Sequence, residues 1–396
     1  MAPRVIQVGK WAEGIAFDGT SIWIAESGQQ SIAQIDLNQG KVARRVTVGR
    51  LPVGMATFTD GAVYALVQTD KRLWQQFPTV AKGKSFTGLS GCPTGLASGD
   101  QALWILSEPN CSSGNSVLIR LNPGTNARAT SGSLGDGAQA IVATPGKVWV
   151  ANTRSPSLHV VDQQTLAIQQ SDIQGAALWA LATNGSNLFA GGVLGNQGVV
   201  VSIDPGSGRE LARQVVDQKI YQMAADGQSV VALSNEGNVY VFSAATLQLQ
   251  RVITLTTPYG GIAAGGGPKA ALIVGNNLYI SSGQQVGENG ALLVLSNWRP
   301  AVAINAPPPA PAPQPAPSAA PPAITVANCP YQIINTGDAT GIWMYQNPDT
   351  SAPQVMAIPA ASKGLVVDRC LVGWCHVTFQ DKSGWVESGH IQPTCQ

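Results

Sequence analysis

Histidine is scarce in this chain, with three in 396 residues, and charged residues make up only 11% of it, for a formal net charge of +1. Clustered imidazoles for acid–base or zinc chemistry therefore have few places to sit. So balanced and sparse a charge argues against nucleic acid or an anionic membrane as the partner. No apolar run of about 18 residues occurs, so no segment reads as a transmembrane helix. A phosphate-binding Gly-Lys-Ser/Thr loop is missing, and so is any Cys-x-x-Cys pair. No metal and no cofactor are expected.

What the chain does have is a repeat. Residues 14–48 read as four short strands, 15–17, 22–25, 32–36 and 41–48, separated by an Asp18-Gly19 turn, a polar loop and a turn ending at Gly40. Taking the residue before the first strand as a marker, the unit recurs at Gly14, Gly54, Gly95, Ala140, Ala180, Gln222 and Gly261. The interval is close to the period of four-stranded propeller blades. The second strand returns each time with an apolar core, usually aromatic: Trp23, Tyr64, Trp104, Trp149, Phe189, Val231 and Tyr279. Such residues suit packing between neighbouring twisted sheets. The seventh unit has only three strand candidates, while Arg4-Val5-Ile6-Gln7-Val8-Gly9 repeats the pattern of Arg45-Val46-Thr47-Val48-Gly49. The expected fold is thus all-β, a seven-bladed propeller over residues 1–303 closed by an N-terminal strand.

Residues 304–323 are almost entirely proline and alanine, the composition of a semi-rigid extended spacer. Residues 324–396 contain six further strand candidates. Six cysteines divide evenly. Cys92 and Cys111 fall in the propeller, and Cys329, Cys370, Cys375 and Cys395 in the C-terminal segment. That parity reads as disulfides and hence an oxidising compartment, periplasmic or extracellular. Two readings of the start compete, a cytosolic protein or a mature form whose leader or membrane anchor preceded Met1, and the cysteines favour the second.

In the C-terminal segment, Gly373-Trp374-Cys375-His376-Val377 followed by Gly384-Trp385-Val386 resembles the late strands of the bacterial SH3 family. An SH3-like β-barrel is what this resemblance implies, with attachment to peptidoglycan or to a peptide. Its platform would be the exposed aromatics Tyr331, Trp343, Tyr345 and Trp385, with Trp374 reading instead as core. The repeats are similar to the superfamily that includes virginiamycin B lyase and the NHL-type and quinoprotein-like propellers. Elimination by the lyase uses histidines and acids of late blades around a metal, and residues 216–300 hold no histidine, so that activity is not implied. His159 aligns with Ala33, Ile119 and Val201 and reads as a core residue. Cys375 and His376 are strand neighbours facing opposite ways, which rules them out as a nucleophile pair.

The remaining place for function is the channel mouth, where non-repeating side chains stand on a repeating scaffold. Residues entering each inner strand are Glu13, Val53, Thr94, Gln139, Trp179, Tyr221 and Gly260, with Trp11, Lys219 and Tyr259 beside them. The loops leaving each second strand add Glu26, Asp70, Lys71, Arg72, Glu108, Arg154, Glu236 and Glu288. From these, Trp11, Glu13, Gln139, Arg154, Trp179, Tyr221 and Tyr259 form the candidate ligand surface. The expected function is non-catalytic binding of a protein, peptide or cell-wall ligand. Its alternative is a lyase or hydrolase at the mouth, with Glu13 or Glu288 as general base.

Overall fold

In the computed structural model, the described residues are 3–111, 114–154, 157–173, 176–234, 236–255, 267–283, 289–300, 331–334, 341–346, 354–371 and 374–393. They are strands and turns, with two short 3-10 segments at Ser27–Gln29 and Ser388–His390. No helix among them is long and apolar enough to cross a membrane. The chain divides into two compact units, Met1–Val302 and Ala303–Gln396. The Pro/Ala stretch lies outside the described residues.

The first unit is seven antiparallel four-stranded sheets. Blade 1 runs Ala12–Phe17, Ile22–Glu26, Ser31–Asp36 and Lys41–Thr47, one strand beside the next, as the repeat predicts. Apolar residues alternate with turns too short for any other connection, and Gly19, at φ 98°, takes a backbone conformation that side-chain-bearing residues avoid. The innermost strand of each blade contacts that of the next around the full circle, and Ala12–Phe17 contacts Gly267–Val274 of blade 7.

The junction of blades 7 and 1 closes as expected. Blade 7 is Gly267–Val274, Asn277–Gly283 and Ala291–Ser296, and its outer strand is Arg4–Gln7. Arg4 stands opposite Val294 and Gln7 opposite Ala291. The ladder then continues, Val8 N–H donating to Gly290 O and Gly290 N–H to Gly9 O, both at 3.0 Å. A methyl group on Gly290 would sit 2.7 Å from Gly9 O, so only glycine admits this approach.

Between blades lie separate hydrophobic clusters, and the recurring aromatic fills each seam. Trp23 packs with Met55, Val63 and Val67 of blade 2, Trp104 with Val148 and Val150 of blade 4, and Phe189 with Tyr240 and Phe242 of blade 6. Tyr279 closes the circle against Ile22 and Ile24, together with Ile6 and Val8. Blades are therefore held by nearest-neighbour burial. His159 sits half-buried on the third strand of blade 4 among apolar neighbours, where burial lowers its basicity.

The second unit is a seven-stranded antiparallel sheet, ordered Gln354–Pro359, Gly341–Tyr345, Lys382–Glu387, Trp374–Phe379, Lys363–Leu371, Tyr331–Ile333 and Ile391–Pro393. All six expected strands occur, and Ile391–Pro393 is an additional one. Ile333, Met344, Ile358, Leu365, Val377 and Val386 form its core.

Candidate functional site

Each inner strand carries one irregularity at the same height. In every blade the register of the first strand against the second slips near its start: between Ala12 and Ile15, Pro52 and Gly54, Pro93 and Gly95, Ala138 and Ala140, Leu178 and Ala180, Ile220 and Gln222, and Pro268 and Ala270. Such β-bulges set two residues against one and re-aim the extra side chain away from the sheet's alternation. The bulged residues are Glu13 with Gly14, Val53, Thr94, Gln139, Trp179, Tyr221 and Lys269. The first six are the entering positions expected from sequence. The seventh is a correction: Lys269 holds the position assigned to Gly260, because blade 7 begins its inner strand at Gly267. Gly260, Gly261, Tyr259 and Glu288 lie outside the described residues.

None of these bulged residues is fully buried, and Gln139 is exposed. Trp179 and Tyr221, from adjacent blades, meet edge to face with ring centroids 5.1 Å apart. Glu13 and Lys269 also come from adjacent blades. Burial pushes the Glu13 carboxyl above the usual range, and the Lys269 ammonium partly opposes that shift. Ser281 fixes the backbone there, its Oγ donating to Glu13 O at 2.5 Å. Trp11 precedes this bulge with φ 54° and its side chain 44% exposed.

The second-strand exits behave differently from one another. Glu26 is completely buried and serves the blade junction: it accepts from Gly9 N–H at 2.6 Å, Ser31 Oγ at 2.7 Å and Arg45 Nε at 3.0 Å. It is a latch for the chain's first turn into the ring and does not line the mouth. Asp70 is held by Arg50 and Arg72, and those bonds keep its carboxyl below the usual range. Arg154 is exposed and ion-pairs with Asp136. Nearby Glu108 is raised, by burial first and by the Asp136 charge second. Cys92 and Cys111 are joined, S–S 2.07 Å, tying the start of blade 3 to the loop after its second strand.

In the second unit, Trp343 is 47% exposed while Tyr331 and Tyr345 are half-buried. Trp385 departs from expectation. It is 7% exposed, packed edge to face on His376 at 5.2 Å, because its strand lies between two others. It therefore belongs to the packed interior and is removed from the aromatic platform. Cys375 is disulfide-bonded and stands across the hairpin from Cys370 in the strand register. Cys329 and Cys395 lie outside the described residues. Among the described residues no group of three or more His, Cys, Asp or Glu side chains is placed to hold a metal.

No protein-family model and no curated protein matches the chain. Solved structures with the same architecture do. The chain is similar to the RRP9 WD40 repeats, at 16% identity and TM-score 0.60, over 75% of this chain and 99% of that one. It is similar to virginiamycin B lyase from Staphylococcus aureus, at 13% identity and TM-score 0.57, over 74% and 99%. It also resembles the hydrazine synthase of Kuenenia stuttgartiensis, at 14% identity and TM-score 0.61, over 74% and 97%. At these identities the likeness is one of fold: a seven-bladed β-propeller.

Proposed function

We propose that this chain is a non-catalytic, extracytoplasmic binding protein whose propeller mouth takes a protein or peptide. The observation that carries the reading is the ring of bulges, which aims an unmatched set of side chains at one opening and joins Trp179 to Tyr221 there. Paired aromatics give large contact area at little entropic cost, and the neighbouring Glu13 and Lys269 supply one charge of each sign to fix orientation. The WD40-like architecture supports a protein partner over a small molecule. The disulfide between Cys92 and Cys111 supports an oxidising compartment. Selection of displayed peptides on the full chain tests this. Trp179→Ala, Tyr221→Ala and Lys269→Ala should each weaken selected binders at least tenfold with unchanged circular dichroism. Binders indifferent to all three would refute the placement.

The second unit we read as an SH3-like module that attaches to peptidoglycan or to a peptide through Trp343, with Tyr331 and Tyr345 at its edge. Co-sedimentation of the full chain with purified peptidoglycan should fall several-fold in Trp343→Ala. Equal pelleting of both proteins would remove cell wall as its ligand.

One observation favours the lyase or hydrolase alternative: the raised Glu13 carboxyl, a property suited to a general base. A screen of ester, glycoside and lactone substrates should show no turnover. Activity that Glu13→Gln abolishes would reverse the assignment.

A further inference from the structure

The recurring second-strand aromatic is capped in most blades by the turn that precedes it. Trp23 Nε1 donates to Asp18 at 2.6 Å, Tyr64 OH to Asp60 at 2.6 Å, and Trp149 Nε1 to Thr144 Oγ1 at 3.0 Å. Asp18 and Thr144 each lie five residues before their tryptophan. In blade 3 that position is Gly99, which has no acceptor to offer. Trp104 is 0% exposed and its indole N–H has no partner.

Trp104 forms part of the wall of a cleft of about 360 Å³ between blades 3 and 4. The cleft is rimmed by the hairpin turns at residues 100–102, 122–127, 146 and 163–164, so it opens on the face opposite the bulged mouth. Two cations line it. Arg120, across from Trp104 in the strand register, uses Nη1 on the carbonyl oxygens of Gln163 and Gln164. Arg128 is exposed and donates to the carbonyl oxygens of Thr87 and Gly88 and to Asn126 Oδ1. Every partner of the two guanidiniums is neutral, and no carboxylate among the described residues pairs with either. Each guanidinium keeps further N–H groups for a ligand. The one acid on the rim, Asp100, leaves the cleft a net positive charge.

We propose that this cleft is a second binding site, distinct from the mouth, for a small ligand bearing a carboxylate. The carboxylate supplies the acceptor that Gly99 removed from Trp104 and the anion that Arg120 and Arg128 lack. Gly99 also leaves room: a Cβ there would stand 2.8 Å from Trp104 Nε1 and 3.0 Å from Gln163 Oε1. A side chain at this position would fill the approach to the indole.

The test uses the full chain labelled with ¹⁵N-indole tryptophan, the Trp104 resonance being assigned by its loss in Trp104→Phe. Acetate and benzoate are titrated against acetamide and benzamide. The Trp104 N–H resonance should move downfield with the two carboxylates and stay fixed with the amides. Arg128→Gln should weaken the response at least tenfold, and Asp100→Asn should strengthen it. Since neither of these residues is buried, both variants should keep the wild-type tryptophan spectrum elsewhere. An unmoved Trp104 resonance, or equal movement with acid and amide, would overturn the proposal, as would a response that Arg128→Gln leaves intact. Because the mouth lies at the other end of the blades, loss of peptide binding there does not touch this result.

Discussion

If the donated strand Arg4–Gln7 closes the propeller, then one buried side chain on the segment should govern the stability of a unit of about 300 residues. Ile6 is 3% exposed and Val8 2%, and both pack with Tyr279, Leu292 and Val294 of blade 7 and with Ile15 and Ile22 of blade 1. Ile6→Ala removes three carbons from that seam and leaves a cavity, a loss of about 3 kcal/mol. Unfolding entropy near 2.1 cal/mol/K per residue makes each kcal/mol worth about 1.6 °C in a unit of this size, so Tm should fall by about 5 °C. Leu211→Ala, on the exposed outer strand of blade 5, is the control and should shift Tm by less than about 1 °C, since Leu211 is 47% exposed.

Removing residues 1–8 altogether has a second consequence. The strand Ala291–Ser296, buried along its first five residues, would become an unpaired apolar edge. Differential scanning calorimetry and analytical ultracentrifugation should then show a lower Tm together with concentration-dependent association. A monomeric truncation with wild-type Tm, or an Ile6→Ala protein within 1 °C of the parent, would refute closure by this strand.

Other expectations follow from the same geometry. Replacing both Cys92 and Cys111 by serine opens a loop of separation 19 and should cost about 3 kcal/mol in urea titration, with dithiothreitol reproducing the effect in the parent. Glu26→Ala strips partners from Gly9 N–H, Ser31 and Arg45 and should destabilise by about 2 kcal/mol, while Glu236→Ala, on an exposed loop, should be neutral. Glu13 is held above the ordinary carboxylate range in the folded protein, so its native form favours the proton. Its stabilising contribution is complete below the unfolded value and is lost as pH rises through the folded one. Glu13→Gln should therefore be more stable than the parent at pH 8, and the gap should close towards pH 4.

Most of the propeller was legible because its signals are local and repeated. Asp-Gly and Asn-containing turns set strand ends, aromatic second strands mark the seams, and an orphan strand at each end implies the closure. The exception is instructive. Blade 7 was placed nine residues early because the glycines from 260 to 267 imitate a marker. A stricter ruler was present: Trp23, Trp104, Trp149 and Phe189 each follow their marker by nine residues, and nine residues before Tyr279 stands Ala270. That spacing is fixed by the lengths of the two strands and their hairpin, whereas the interval between blades includes a loop free to lengthen. In the second unit, periodicity gave the strands but could not tell an exposed tryptophan from a buried one. Trp343 and Trp385 sit in equally apolar sequence, and only the order of strands in the sheet decides that Trp385 is covered.

The site was legible in position and less so in role. Glu13, Trp179 and Tyr221 were found by asking where the repeat stops repeating. The same question misjudged Glu26, a charged non-repeating residue that proves wholly buried. The distinction is electrostatic. A carboxylate with three donors around it has its hydrogen-bonding capacity directed inward and nothing left for a ligand. Glu13 is buried without such a set, and its nearest opposite charge comes from a different blade. Variation within a repeat thus marks two kinds of residue, those that finish the ring and those that face its opening, and the number of donors already satisfied separates them. By that measure Lys269 and Trp104 join the second kind, one at each end of the blades. The two faces of the propeller would then carry different chemistry, aromatic and mixed in charge at the bulges, cationic at the blade 3 and blade 4 turns.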